Sequence, residues 1–197
     1  PVLIENDFCV DIDSEKDFVQ AESVLASMSS ELNRPKDLFK NKFENIKLLV
    51  LDFDGVFTDN KVIIDENGLE YVVCNRGDGL GLDMLRKTEK DLIILSTETN
   101  KVVTSRAKKL KIKVFQSVDR KLDFLKNFCL KKQIELDNVA YIGNDLNDLE
   151  CMTNVGVSVC PSDANSLVKK SADFILNNKG GNGAIRELCD MLIKIKW

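Results

Sequence analysis

From Ile46 onward, short runs of strand formers alternate with stretches whose apolar residues recur at helical spacing. Ile46 to Leu51 is an apolar run ending in Asp52-Phe53-Asp54-Gly55. Such a run reads as a strand buried on both faces at the centre of a parallel sheet. Further strands are predicted over 61–65, 69–74, 92–95, 113–115, 139–142, 155–159 and 173–176. Helices are predicted over 79–87, 101–110, 120–132, after the Gly143–Asp148 cluster to about Thr153, and over 164–170 and 184–194. Asn67-Gly68, between the second and third strand runs, is a hairpin signal. The alternation implies an α/β fold, a parallel sheet with helices on both faces, from which the hairpin protrudes. Upstream, Ser14 reads as an N-cap, and Phe18, Ala21, Leu25 and Met28 mark a short amphipathic helix. Residues 1–30 have too little core to fold alone, 31–45 read as a polar linker containing Pro35, and 46–197 form the main domain.

Composition narrows what that domain does. The 197 residues are 44% hydrophobic and 30% charged, the balance of a globular protein. A net charge of -4 speaks against nucleic acid or an anionic membrane as partner. No apolar run approaches the ~20 residues of a membrane span. Six cysteines, Cys9, Cys74, Cys129, Cys151, Cys160 and Cys189, are scattered without a Cys-x-x-Cys pair. They read as free thiols of a reducing cytoplasm. The chain contains no histidine, which removes a Ser-His-Asp triad and histidine-bound zinc. Acid–base work must fall to carboxylates, Lys, Tyr or Cys, and metal binding to oxygen ligands, which favours Mg2+.

Three predicted strands end in polar clusters: Asp52/Asp54, Ser96/Thr97 and Asn144/Asp145/Asp148. In a parallel sheet these ends lie along one edge, where ligand crevices form. Each has a bland reading as turn or capping chemistry, but all three bland readings must then hold together. Lys121, in the first turn of its helix, is poorly placed for the helix dipole. Together these groups suit phosphoryl transfer, which needs an in-line nucleophile, cations around the phosphoryl oxygens and a proton for the leaving oxygen. Asp52 serves as nucleophile, Asp54 as acid and then base, Ser96 as donor to a phosphoryl oxygen, and Lys121 as fixed positive charge.

Asp52-Phe53-Asp54-Gly55-Val56-Phe57-Thr58-Asp59, Ser96, Lys121 and Gly143-Asn144-Asp145-Leu146-Asn147-Asp148 resemble the four motifs of the haloacid dehalogenase (HAD) superfamily, in order and spacing, from about residue 46 to the end. The resemblance implies a Rossmann-like HAD fold, an aspartyl-phosphate intermediate on Asp52, and magnesium held by Asp52, Asp54 and either Asn144 or Asp145. The family's fourth motif usually carries Asp where Asn144 stands. Asp148 is expected behind the ligands, orienting Lys121 or a metal-bound water. An acid at Asp54 is the phosphatase and phosphomutase form of the first motif.

Neither insert between motifs is large enough for a cap domain. The layout resembles the capless branch of 3-deoxy-D-manno-octulosonate 8-phosphate phosphatases, homotetramers in which hairpins interlock and a C-terminal tail covers the neighbouring site. Lys179-Gly180-Gly181-Asn182-Gly183-Ala184-Ile185-Arg186-Glu187 resembles that tail. The stretch from Ser96 to Asn100, with Arg106 and Lys109, is closer to phosphatases of 2-keto-3-deoxynononate 9-phosphate and to the phosphatase-like domain of sialic acid cytidylyltransferases. Thr58, Arg76, Thr97, Glu98, Arg106, Lys109 and Arg186 are the expected substrate contacts. Residues 10–22 resemble the end of a sugar-acid cytidylyltransferase, which implies a fused or adjacent domain of that kind. The competing expectation is a catalytically slack domain that serves only to assemble that enzyme into a tetramer.

Overall fold

A computed structural model describes residues 17–19, 37–88 and 90–197. Residues 17–19 are helical; the rest of the helix expected over 14–28 and most of the cytidylyltransferase-like stretch lie outside the described residues. The chain divides into two units, Pro1–Asn41 and Lys42–Trp197, and the second carries every numbered strand and helix below.

In chain order these are β1 (Leu48–Leu51), β2 (Ile63–Ile64), β3 (Glu70–Tyr71), α1 (Arg76–Leu85), β4 (Asp91–Leu95), α2 (Lys101–Leu110), β5 (Lys113–Phe115), α3 (Lys121–Lys132), β6 (Val139–Ile142), α4 (Leu146–Met152), β7 (Val157–Cys160), α5 (Ser166–Ser171), β8 (Phe174–Ile175) and α6 (Ala184–Lys194). Six strands form one parallel sheet in the order β5-β4-β1-β6-β7-β8. The run of apolar residues in β1 is buried throughout because neighbours flank it on both edges and helices cover both faces. Leu48 and Val50 share a core with Leu122 and Leu125 of α3 and Cys151 and Met152 of α4. Side-chain alternation turns Leu49 and Leu51 to the other face. Two helices far apart in the chain, α1 and α6, pack together. Among the described residues no helix is long and apolar enough to cross a membrane, and the described cysteines, Cys74, Cys129, Cys151, Cys160 and Cys189, are free.

Three expectations need correction. The hairpin forms, with Gly68 at φ +76° closing a three-residue loop between Asp65 and Leu69, but each strand is only two residues long. Its outer residues have no covering layer, and an isolated two-stranded ribbon gains little by extending. The first long helix starts at Arg76 rather than Gly79, because Asn75 caps it by accepting from Gly77 N at 2.6 Å; three glycines in that first stretch masked the cap. Residues 37–43, inside the expected linker, are helical. Phe43 is buried there, against Phe174 and edge-on to Trp197.

Candidate active site

The sheet order places β4 and β6 on either side of β1, with Leu51 opposite both Ile94 and Ile142. The residues that follow those strands, Ser96 and Asn144, therefore flank Asp52. After Asp52 the chain turns tightly: Phe53 and Phe57 stack with centroids 5.4 Å apart, and Phe57 N donates to Phe53 O at 2.8 Å. Thr58 Oγ1 accepts from Gly55 N at 3.1 Å and from Asn60 N at 3.3 Å. Gly55 has φ +76°, and a Cβ there would stand 1.9 Å from the Asn144 amide nitrogen. Only glycine lets the first and fourth motifs approach this closely.

Lys121 joins the buried charges. Its Nζ donates to Asp52 Oδ1 at 2.6 Å and to Asp148 Oδ1 at 2.7 Å. Asp148 Oδ1 also accepts from the Tyr141 hydroxyl at 2.8 Å, and its Oδ2 from Asn144 N at 2.9 Å and Asp145 N at 3.4 Å. Two buried carboxylates thus share one ammonium. Burial, then the Asp148 charge, push the Asp52 carboxyl up to about 8 against the opposing pull of Lys121. Burial works to lower the Lys121 pKa, but Asp52 and Asp148 outweigh it and hold the amine above its ordinary value, as an ammonium. Asp54 is raised by burial and then by the nearby Glu98 carboxylate. Upward is the direction that suits a general acid.

A cavity of about 360 Å³ opens over this cluster, lined by Asp52, Asp54, Ser96, Thr97, Asn144 and Asp145 among others. Ser96 Oγ accepts from Glu98 N at 3.0 Å, which leaves its own proton free to be donated. Among the described residues no three His, Cys, Asp or Glu side chains group as a metal cluster. The oxygens that fit a hard cation are of other kinds as well. The Asn144 amide lies 2.7 Å from the Asp54 carbonyl oxygen and 3.3 Å from Asp52 Oδ2. With its nitrogen turned toward them it donates to both; with its oxygen there, three oxygens converge. Ligands about 2.1 Å from an octahedral Mg2+ stand about 3.0 Å from one another, so the spacing suits such an ion.

The remaining expected site residues fall elsewhere. Thr58 is buried and holds the turn, acting on Asp54 by a side-chain hydrogen bond. Glu98 Oε1 accepts from Thr99 N at 2.6 Å and Asn100 N at 2.8 Å, folding back onto its own loop. Arg76, Arg106 and Lys109 line a separate groove of about 570 Å³ between α1 and α2, where Arg86 and Lys111 add further charge. Arg186 lines neither; its Nε donates to Asp190 Oδ1 at 2.9 Å. The tail-like glycines sit on their own chain, Gly181 N donating to Val56 O at 3.0 Å. The sequence reading missed Tyr141, Asn60 and Asn147, the last two as cavity-lining groups. Tyr141 had a signal: a tyrosine inside a fully buried strand needs an acceptor for its hydroxyl.

Residues 81–188 match the model of the haloacid dehalogenase-like hydrolase family. The 3-deoxy-D-manno-octulosonate 8-phosphate phosphatase of Escherichia coli (strain K12) is 37% identical over 153 residues, covering 77% of this chain and 81% of that protein. A HAD family hydrolase from Streptomyces avermitilis superposes with a TM-score of 0.74 at 46% identity, over 76% of this chain and 86% of the other. The 3-deoxy-D-manno-octulosonate 8-phosphate phosphatase of Moraxella catarrhalis, solved with magnesium, phosphate and KDO, superposes with a TM-score of 0.76 at 34% identity, over 79% of this chain and 90% of the other.

Proposed function

The chain belongs to the haloacid dehalogenase-like hydrolases and is a phosphoric monoester hydrolase of their capless branch; from that premise we propose that it cleaves the 9-phosphate of a nine-carbon 2-keto-3-deoxy sugar acid of the nonulosonate type. The observation that carries the chemistry is Asp52, buried at the strand end with Lys121 on one oxygen and an open cavity beside it. An Asp52 oxygen attacks phosphorus as the bond to the sugar oxygen breaks, and Asp54 gives its proton to that leaving oxygen. The Asp54 carboxylate then takes a proton from water, whose oxygen attacks the aspartyl phosphate, releasing inorganic phosphate and restoring Asp52. Ser96 donates to a phosphoryl oxygen, and Lys121 keeps Asp52 oriented while adding positive charge. Asp52, the Asp54 carbonyl and Asn144 or Asp145 would hold magnesium, which would supply further positive charge beside the phosphoryl oxygens.

Substrate choice rests on the stretch from Ser96 to Asn100 and on Arg106 and Lys109. Those two basic residues line a groove apart from the catalytic cavity, and in this reading they meet the sugar carboxylate bound to a second copy. Val62, Ile63, Ile64, Tyr71 and Val73 are exposed on the hairpin and give such an assembly, a homotetramer, its apolar contact. A second reading, an eight-carbon 8-phosphate, is favoured by the Escherichia coli relative, a 3-deoxy-D-manno-octulosonate 8-phosphate phosphatase. We also propose a fused or adjacent cytidylyltransferase domain, tested by whether a chain extended upstream of residue 1, or a co-purifying protein, transfers CMP to the same sugar acid.

The test is Mg2+-dependent phosphate release from both sugar phosphates and from p-nitrophenyl phosphate. Asp52→Asn should lose at least roughly 1,000-fold in kcat, and a parent as inert as that variant would overturn the mechanism. A higher kcat/KM for the nine-carbon substrate, reduced by Lys109→Ala, supports the first reading. A preference for the eight-carbon substrate transfers the site to the second.

A further inference from the structure

The segment leading into α6 braces the loop that carries Asp54. Gly180 lies so close to that loop that a Cβ on it would stand 1.9 Å from the Gly55 carbonyl oxygen. Gly181, at φ +66°, would place a Cβ 2.4 Å from the Thr58 carbonyl carbon, and its N–H donates to Val56 O at 3.0 Å. Bare backbone therefore supports the turn from Gly55 to Thr58, and a shift of residues 180–181 is passed directly to Asp54.

Asp163 Oδ1 accepts from Gly180 N at 2.9 Å, and where the brace runs on into α6 it meets a second acid, from the helix packed beside it. The N-cap of α6 is Gly183, at φ +94°, which has no side chain to satisfy the first-turn N–H groups. Asp78, on α1, provides the acceptor: its Oδ1 takes the Arg186 N–H at 2.8 Å. One turn further along α1, Gly81 brings the two helices into backbone proximity, since a Cβ there would meet Cys189 Cβ at 3.0 Å. Asp78 is 1% exposed, and its Oδ2 is buried without a hydrogen-bond partner. A buried carboxylate is an expensive cap, but at φ +94° position 183 is strained for the serine or aspartate that would cap from the helix's own N-terminus, so the acceptor comes from α1. What a local cap lacks is the connection to α1.

We propose that Asp78 is a positioning residue for the phosphatase reaction: by holding the N-terminus of α6 against α1 it keeps Gly180 and Gly181 seated under the Asp54 loop. The inference rests on the assignment of Asp54 made above, and it adds a residue that belongs to none of the four motifs.

The test compares Asp78→Ala, Asp78→Asn and Gly181→Ala in the full chain, with p-nitrophenyl phosphate and MgCl2. Asp78→Ala should lower kcat by about tenfold or more with KM changed by no more than about twofold, as expected when a catalytic group is misplaced rather than removed. Asp78→Asn, which retains an acceptor oxygen, should recover most of that loss. Amide hydrogen exchange at Gly181 should quicken in Asp78→Ala and not in Asp78→Asn. Should Asp78→Ala fail to fold, Gly181→Ala attacks the same brace from its other end and should show the same fall in kcat at little change in KM. A folded Asp78→Ala or Gly181→Ala with the parent's kcat, or unchanged exchange at Gly181 in the former, overturns the proposal. A parent inert toward the aryl phosphate would defeat the phosphatase mechanism instead, leaving the exchange at Gly181 to decide the brace.

Discussion

At the carboxyl ends of β1, β4 and β6 the protein buries charge: Asp52 is 4% exposed, Lys121 3% and Asp148 0%. At the hairpin it exposes apolar surface: Ile63 is 62% exposed and Val73 67%. Each region does the opposite of what folding favours, since isolated buried charge and exposed apolar groups are both unfavourable. The difference lies in how each is compensated. The buried charges have partners within the chain, down to the Tyr141 hydroxyl on Asp148, and their remaining excess is negative. They await something positive. The hairpin side chains have no such layer among the described residues, and the homotetramer proposed above is what would cover them.

The largest test of this contrast removes the one cation of the buried cluster. Lys121→Met leaves two carboxylates unpaired, and unfolding in urea should show a loss of about 3–5 kcal/mol. A loss near zero would mean that the cluster is not held as a charged unit. The next effect is a dependence on pH. The folded-state pKa of Asp52 is raised, by burial and then by Asp148, from 3.8 to about 8. Its contribution to stability is therefore intact below its unfolded pKa and lost as pH rises through the folded value. Without divalent metal, Asp52→Asn should gain in thermal stability relative to the parent between pH 4 and 8, and added Mg2+ should narrow the gap. A gap that does not grow with pH would show that Lys121 already neutralises the nucleophile. Tyr141→Phe should lose about 1–2 kcal/mol, because it withdraws one donor from a buried carboxylate that keeps its other three. The hairpin should give the smallest effect on folding: Ile63→Asp should alter the stability of a single chain by no more than about 0.5 kcal/mol. Analytical ultracentrifugation should instead show the parent as the proposed homotetramer and the variant as a smaller species. A variant that stays assembled would assign the exposed strip to some other surface.

Sequence alone determined the elements whose signals are local and strong. The apolar run of β1 needs both sheet edges and both faces covered, and α2, β5, β6 and α6 lie where their periodicity places them. The acids and amide after β1 and β6 were legible because polar residues at the end of a buried strand are costly without a purpose. Tertiary structure alone decided where the long and short polar side chains point. Glu98 turns onto its own loop, and Arg106 and Lys109 open into a groove away from the nucleophile, since a flexible side chain answers to neighbours that sequence spacing does not reveal. The same holds for Asp78, whose partner N–H lies 108 residues away. A contact of that span exists only once α1 and α6 have packed, and no local pattern of residues encodes it.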